Sequence, residues 1–113
     1  MLLNYSKEDR PWGSFERFTL NEPTTVKLVH VKAGEAISLQ THTGRDEFWR
    51  IVEGTGTVTI GAERHEATVG SEFFAPRGSA HRVEAVRDLT LLEISFGAFD
   101  EGDITRLKDK YHR

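Results

Sequence analysis

Apolar and polar residues alternate along this chain in short runs, with a period of two. That period fits strands with one buried face rather than amphipathic helices. The runs span residues 24–31 (TTVKLVHV), 36–42, 47–52, 57–60, 64–69, 72–75, 80–86 and 89–96. A further run at 13–20 (GSFERFTL) predicts an edge strand. Between the runs lie turn signals: KAGE, Thr43-Gly44-Arg45-Asp46, EGTG, Gly61-Ala62, Gly70 and PRGS. Strands this short, punctuated this often, predict an all-β sandwich or barrel. Phe48, Trp49, Phe73 and Phe74 fall within these runs and are expected in the core. The tail DITRLKDKY reads as one short helical segment with Asp103 as its N-cap.

Composition narrows the class without changing the fold. The chain has 113 residues, which fits one domain over 1–113 with a core of its own. A net charge of −3 leaves no basic footprint for nucleic acid or an anionic membrane. Charges of both signs are mixed in NYSKEDR and DITRLKDKYHR, as on a solvated surface. Cysteine is absent, which excludes disulfides, thiolate metal sites and cysteine nucleophiles. No run has the length of a membrane span, and the start MLLNYSKEDR lacks a signal-peptide core. A cytoplasmic protein is expected.

One stretch departs from scaffold logic. In ISLQTHTGRDEFWRIVEG, residues 37–54, Gln40 and His42 stand two apart and so share a strand face. Glu47 opens the next run, and a hairpin through 43–46 would bring it beside His42. His81 follows the turn APRGSA, where Pro76 and Gly78 favour a sharp reversal. An amide oxygen, two imidazoles and a carboxylate make a mixed nitrogen–oxygen set for one divalent ion. Zn, Mn, Fe, Co or Ni would suit it. Four protein ligands leave open positions on a six-coordinate ion, unlike a closed structural zinc site. His30, His65 and His112 read as surface or internally satisfied histidines.

The spacing Gly34-x5-Gln40-x-His42-x4-Glu47-x6-Gly54, then Gly70-x5-Pro76-x-Gly78-x2-His81, closely resembles the paired motifs of the cupin superfamily. The resemblance implies a small double-stranded β-helix, or jelly-roll, barrel with a metal inside. The family's usual first histidine is Gln40 here, and the usual asparagine of the second motif is Ala85. Glutamine at that position, with RPWGSFE, VKAGEAISLQTH, APRGSAHRVE and DITRLKDKYHR, resembles type II mannose-6-phosphate isomerases over nearly the whole chain. In that family the domain often follows a nucleotidyltransferase domain that makes GDP-mannose; the expectation here is the stand-alone form.

This resemblance implies metal-dependent interconversion of mannose 6-phosphate and fructose 6-phosphate through an enediol. Gln40, His42, Glu47 and His81 would hold the metal. Arg45 and Lys27 would hold the phosphate, and Arg82, following an inward His81, would point outward. The family's extra histidines are Thr43, Gly44 and Phe48 here, at the place where a substrate would meet the protein. Two alternatives stand beside the isomerase. One is a non-catalytic metal-containing cupin that binds a sugar or other small ligand. The other is an Fe(II) cupin dioxygenase. A homodimer is also expected, with RPWGSF lying across the partner and covering an edge strand.

Overall fold

The computed structural model describes residues 2–111. His112, read above as a surface residue, lies outside them. The chain forms β1 (Ser6–Arg10), β2 (Gly13–Arg17), β3 (Thr24–Val31), β4 (Leu39–Thr41), β5 (Arg45–Glu53), β6 (Gly56–Ile60), β7 (Glu63–Ala67), β8 (Glu72–Ala75), β9 (His81–Ala85), β10 (Leu89–Gly97) and β11 (Thr105–Lys108). Two sheets face each other, ordered β3-β10-β5-β8 and β11-β4-β9-β6-β7, and β1-β2 forms a separate hairpin. This is the all-β architecture that the alternation predicts, with the small barrel that the motif resemblance implies. Among the described residues no helix is long and apolar enough to cross a membrane.

Three expectations are corrected. The run 43–46 does not close a hairpin: β4 pairs with β9 and β11, whereas β5 pairs with β10 and β8. Thr43-Gly44 is therefore a corner between the two sheets. The chain passes it closely, since a Cβ on Gly97 would lie 2.6 Å from the Gly44 carbonyl oxygen and Gly97 has φ +109°. Secondly, the tail is strand β11 rather than a helix, because β4 offers a free edge to pair with. Thirdly, residues 13–17 pair with 6–10 and not with the edge of a main sheet.

The interior divides into two halves. Inward residues along β5 run Arg45, Glu47, Trp49, Ile51; along β9, His81, Val83, Ala85; along β10, Leu89, Leu91, Glu93, Ser95; all are buried. The antiparallel register sets Ser95 opposite Glu47, Glu93 opposite Trp49, and Leu91 opposite Ile51. These three strands thus change from apolar to polar at about the same level. The apolar half is one cluster of Val31, Trp49, Ile51, Val58, Ala67, Val83, Ala85, Leu89 and Leu91. Burying such side chains stabilises the fold by about 1.5–3 kcal/mol each. Gly54 has φ +84°, and a Cβ there would sit 2.0 Å from the Asp88 carbonyl oxygen, so the β5–β6 connection admits only glycine.

Phe48 and Trp49 are neighbours yet both buried, because both faces of β5 are covered. Trp49 faces the interior cluster, and Phe48 packs outside it with Leu2, Ile94 and Phe18. Phe73 packs against the interior cluster. Phe74 is 38% exposed on edge strand β8, which corrects its assignment to the core.

Candidate metal centre

The polar half of the barrel gathers His42, Glu47 and His81 although they come from three different segments. Glu47 faces inward from β5, His81 opens β9, and His42 follows β4 at the corner. One ligand atom from each lies within 4.8 Å of the others, and all three residues are buried. His42 Nε2 is 3.2 Å from Glu47 Oε2, and His81 Nε2 is 3.5 Å from Glu47 Oε1.

The tautomers follow from the hydrogen bonds. His42 Nδ1 donates to the Asp103 carbonyl at 2.6 Å, and His81 Nδ1 donates to the Ser79 carbonyl at 3.2 Å. A carbonyl only accepts, so each Nδ1 carries a proton. Arginine only donates, and Arg45 Nη2 lies 3.2 Å from His42 Nε2, which marks that nitrogen as a lone pair. Burial lowers the His81 pKa, outweighing the attraction of Glu47, so its ring is held neutral as well. Two imidazole lone pairs therefore converge on a carboxylate. The Arg45 guanidinium meets His42 Nε2 and Glu47 Oε2 from one side, and the two imidazoles with the carboxylate make a donor set that fits a divalent ion.

Gln40 lies opposite His81 in the β4–β9 register and lines the same cavity. Its amide nitrogen donates to the Ser38 carbonyl at 3.3 Å, which leaves the amide oxygen for the cavity. The next ring of contacts orients Glu47: Arg45 Nε donates to Oε2 at 2.9 Å and Trp49 Nε1 donates to Oε1 at 3.1 Å. Such partners set the aim of metal ligands. Arg45 is only 6% exposed. Its Nη1 donates to the Asp100 carbonyl at 3.2 Å, and its guanidinium stacks on Phe99. Lys27 lines the cavity, pairs with Glu101 at 3.2 Å and also lies over Phe99. Arg82 donates to the Ile37 carbonyl instead of entering the cavity. His30 bonds Thr90 and His65 pairs with Glu63, so both are satisfied outside the centre.

Three residues escaped the sequence reading. Glu93 is buried beside Glu47 and lines the cavity. Burial, and then the contact with Glu47, push its pKa up to about 8. Burial also acts to raise Glu47, but the hydrogen bonds with Glu93 and Arg45 outweigh it and lower Glu47. The proton of the pair rests on Glu93. Its signal was present: in LTLLEISF a carboxylate shares the inward phase with Leu89 and Leu91. Asp103 is the second. Its carboxylate accepts from Thr43 N, Thr43 Oγ1 and Gly44 N, each at 2.8 Å. The third is Arg106 on β11, opposite Gln40 and at the cavity wall. The sequence marks Asp103 as a cap but not for this corner, and nothing local marks Arg106.

Comparison with known proteins places this geometry. The model of the family described as "Mannose-6-phosphate isomerase C-terminal" matches residues 2–109. A mannose-1-phosphate guanylyltransferase of Salmonella montevideo is 40% identical over 107 residues, covering 92% of this chain and 23% of the relative. Its namesake from Klebsiella pneumoniae is 37% identical over 107 residues, again covering 92% of this chain and 23% of the relative. The chain thus spans under a quarter of the curated relatives it matches. Their names overturn the expectation of a stand-alone isomerase interconverting mannose 6-phosphate and fructose 6-phosphate: the chain resembles one part of larger guanylyltransferases. Among solved structures, a salicylate 1,2-dioxygenase from Pseudaminobacter salicylatoxidans superposes with TM-score 0.59 at 21% identity, covering 64% of this chain and 20% of that one. That likeness shows the fold alone and lends the dioxygenase alternative no support.

Proposed function

The chain belongs to the mannose-6-phosphate isomerase C-terminal family, and from that premise we propose that it is a metal-centred enzyme domain that binds a phosphorylated mannose. Its place would be alongside guanylyl transfer to mannose 1-phosphate, the activity named in its relatives, and in the cytoplasm. The observation that carries the reading is the convergence of His42, Glu47 and His81 at the polar end of a barrel that is otherwise a packed apolar core. Gln40 completes the ligand set from the facing strand. A bound divalent ion would supply Lewis acidity toward sugar oxygens.

The chain's own residues do the rest. Asp103 and Ser79 carbonyls hold the imidazoles with Nε2 inward. Arg45 and Trp49 fix the Glu47 carboxylate. Glu93, its proton shared with Glu47, leaves acceptor capacity on the cavity floor for a sugar hydroxyl. Lys27 and Arg45 add positive charge around an anionic ligand.

The test is calorimetry on protein loaded with Mn2+ or Zn2+, titrated in turn with mannose 1-phosphate, mannose 6-phosphate and mannose. The expected result is one metal per chain and saturable binding of at least one phosphorylated mannose. The double variant His42→Ala/His81→Ala should lose both the metal, by elemental analysis, and the sugar phosphate. A fully metal-loaded chain that binds none of the three sugars at millimolar concentration would sink the reading.

A further inference from the structure

We infer that Arg106 receives the anionic group of the ligand at the mouth of the cavity. This rests on the reading of a phosphorylated ligand and assigns the group that recognises its charge. The motif resemblance pointed to Arg45 and Lys27 for that task, but both are already engaged. Two Arg45 nitrogens serve protein acceptors, Nε on Glu47 and Nη1 on the Asp100 carbonyl, and the third, Nη2, points into the ligand set 3.2 Å from His42 Nε2. Its flat face is taken by Phe99 at 4.4 Å. Turning Arg45 to a ligand would release the carboxylate that it orients. Lys27 holds Glu101 and rests on the same ring.

Arg106 differs on each point. It lines the same cavity as His42, Glu47 and His81. It is exposed, and its side chain has no hydrogen bond or ion pair among the described residues. Its strand register sets it opposite Gln40, so it stands over the ligand set at the outer end. A free guanidinium fork matches two oxygens of a phosphate or carboxylate, in a geometry that lysine does not offer.

Size and charge fix the orientation of the ligand. The cavity is about 170 Å³, below the roughly 300–1,000 Å³ of pockets that enclose a drug-sized molecule. Only part of a sugar phosphate enters. The floor is closed in by the buried Glu47 and Glu93, and a dianion carried down to it would be stripped of its water. The hydroxylated end therefore goes inward and the charged end stays at the rim, beside Arg106.

The experiment compares wild type with Arg106→Gln and Arg106→Lys, each as full chain loaded with Mn2+. Mannose 6-phosphate, mannose 1-phosphate, mannose and inorganic phosphate serve as probes. Arg106→Gln should keep one metal per chain and its melting temperature while losing tenfold or more in affinity for the sugar phosphate. Arg106→Lys should fall between. Affinity within twofold of wild type in Arg106→Gln would overturn the inference and leave the ligand reading intact. Equal binding of mannose and its phosphates by wild type would overturn it too, since the charge would then go unread. Loss of metal in Arg106→Gln would assign the residue a structural role and likewise overturn it. Failure of wild type to bind any of the sugars would overturn both proposals together.

Discussion

Replacing Asp103 by alanine tests whether the metal centre depends on a residue that never touches its ligands' coordinating atoms. Asp103 grips the corner through four bonds. Its carbonyl takes His42 Nδ1, and its carboxylate takes Thr43 N, Thr43 Oγ1 and Gly44 N. The backbone donors at Thr43 and Gly44 depress its pKa to about 2, so the grip stays charged at any ordinary pH. Alanine removes three of the four bonds and leaves the carbonyl with nothing to fix its position. His42 then loses the partner that holds Nε2 toward Glu47. Outer-shell partners of this kind are worth about 10- to 100-fold in metal affinity. The damage here is indirect, through the carbonyl, so a loss of about tenfold, at the low end of that range, is expected for Asp103→Ala. Asp103→Asn keeps an acceptor for Thr43 and should fall between alanine and wild type. Competition against a chromophoric chelator reads the affinity, and nitrogen-15 shifts of the His42 ring read the tautomer. Affinity within twofold of wild type, with the proton still wholly on Nδ1, would refute the reasoning.

Glu93 makes a pH-dependent prediction for the metal-free chain. Its folded pKa is raised from 4.5 to about 8, so between those values the folded state holds a proton that the unfolded state has released. Stability should therefore fall as pH rises through that window, and Glu93→Gln should flatten this pH dependence; equal unfolding free energies of the wild type at pH 5 and pH 8 in denaturant titrations would refute it. A homodimer is expected from the exposed apolar residues Val26 and Leu28 on edge strand β3 and Trp12, 73% exposed, on the β1–β2 hairpin. Light scattering should give about twice the 12.8 kDa chain mass, with Trp12→Ser shifting the protein toward monomer; a wild-type monomer at micromolar concentration would count against it.

Alternation made most strands legible, and two runs, 24–31 and 72–75, match β3 and β8 end to end. Motif spacing found His42, Glu47 and His81 before any geometry was known. Pairing partners were another matter. A turn-like tetrad between two strand runs reads as a hairpin, yet Thr43-Gly44 joins strands of opposite sheets. What holds it there is Asp103, some sixty positions away. The tail shows the same limit. Asp103 does accept backbone N–H groups with its side chain, as the N-cap reading supposed. Those groups belong to the corner at 43–44 and not to a following helix turn. Residue type disclosed the bond it would make, whereas its partner was set by the closing of the barrel. The run 105–108 became a strand because an unpaired edge of β4 was available, a tertiary fact that outweighs weak local helix preference.

The placement of polar residues inside the barrel argues for a ligand more strongly than any one of them does. His42, Arg45, Glu47, His81, Glu93 and Ser95 are all buried. Apolar replacements would each contribute about 1.5–3 kcal/mol of burial. Three strands surrender that contribution at one level, in register, while the other half of the same strands keeps Ile51, Val83, Leu89 and Leu91. Scattered polar residues in a core reflect local accidents, each repaired by its own hydrogen bond. A level of them, open to solvent on one side through a cavity bounded by Arg106 and Ile104, is a site. Its design also explains the two roles of charge. Glu47 and the two imidazole lone pairs draw a cation into the floor, and Arg106 at the rim waits for the anion. The opposite arrangement, with cations in the floor and carboxylates at the rim, would admit phosphate and exclude metal. Exchanging the charge at the rim alone, as in Arg106→Glu, should accordingly abolish sugar-phosphate binding while leaving metal stoichiometry at one per chain.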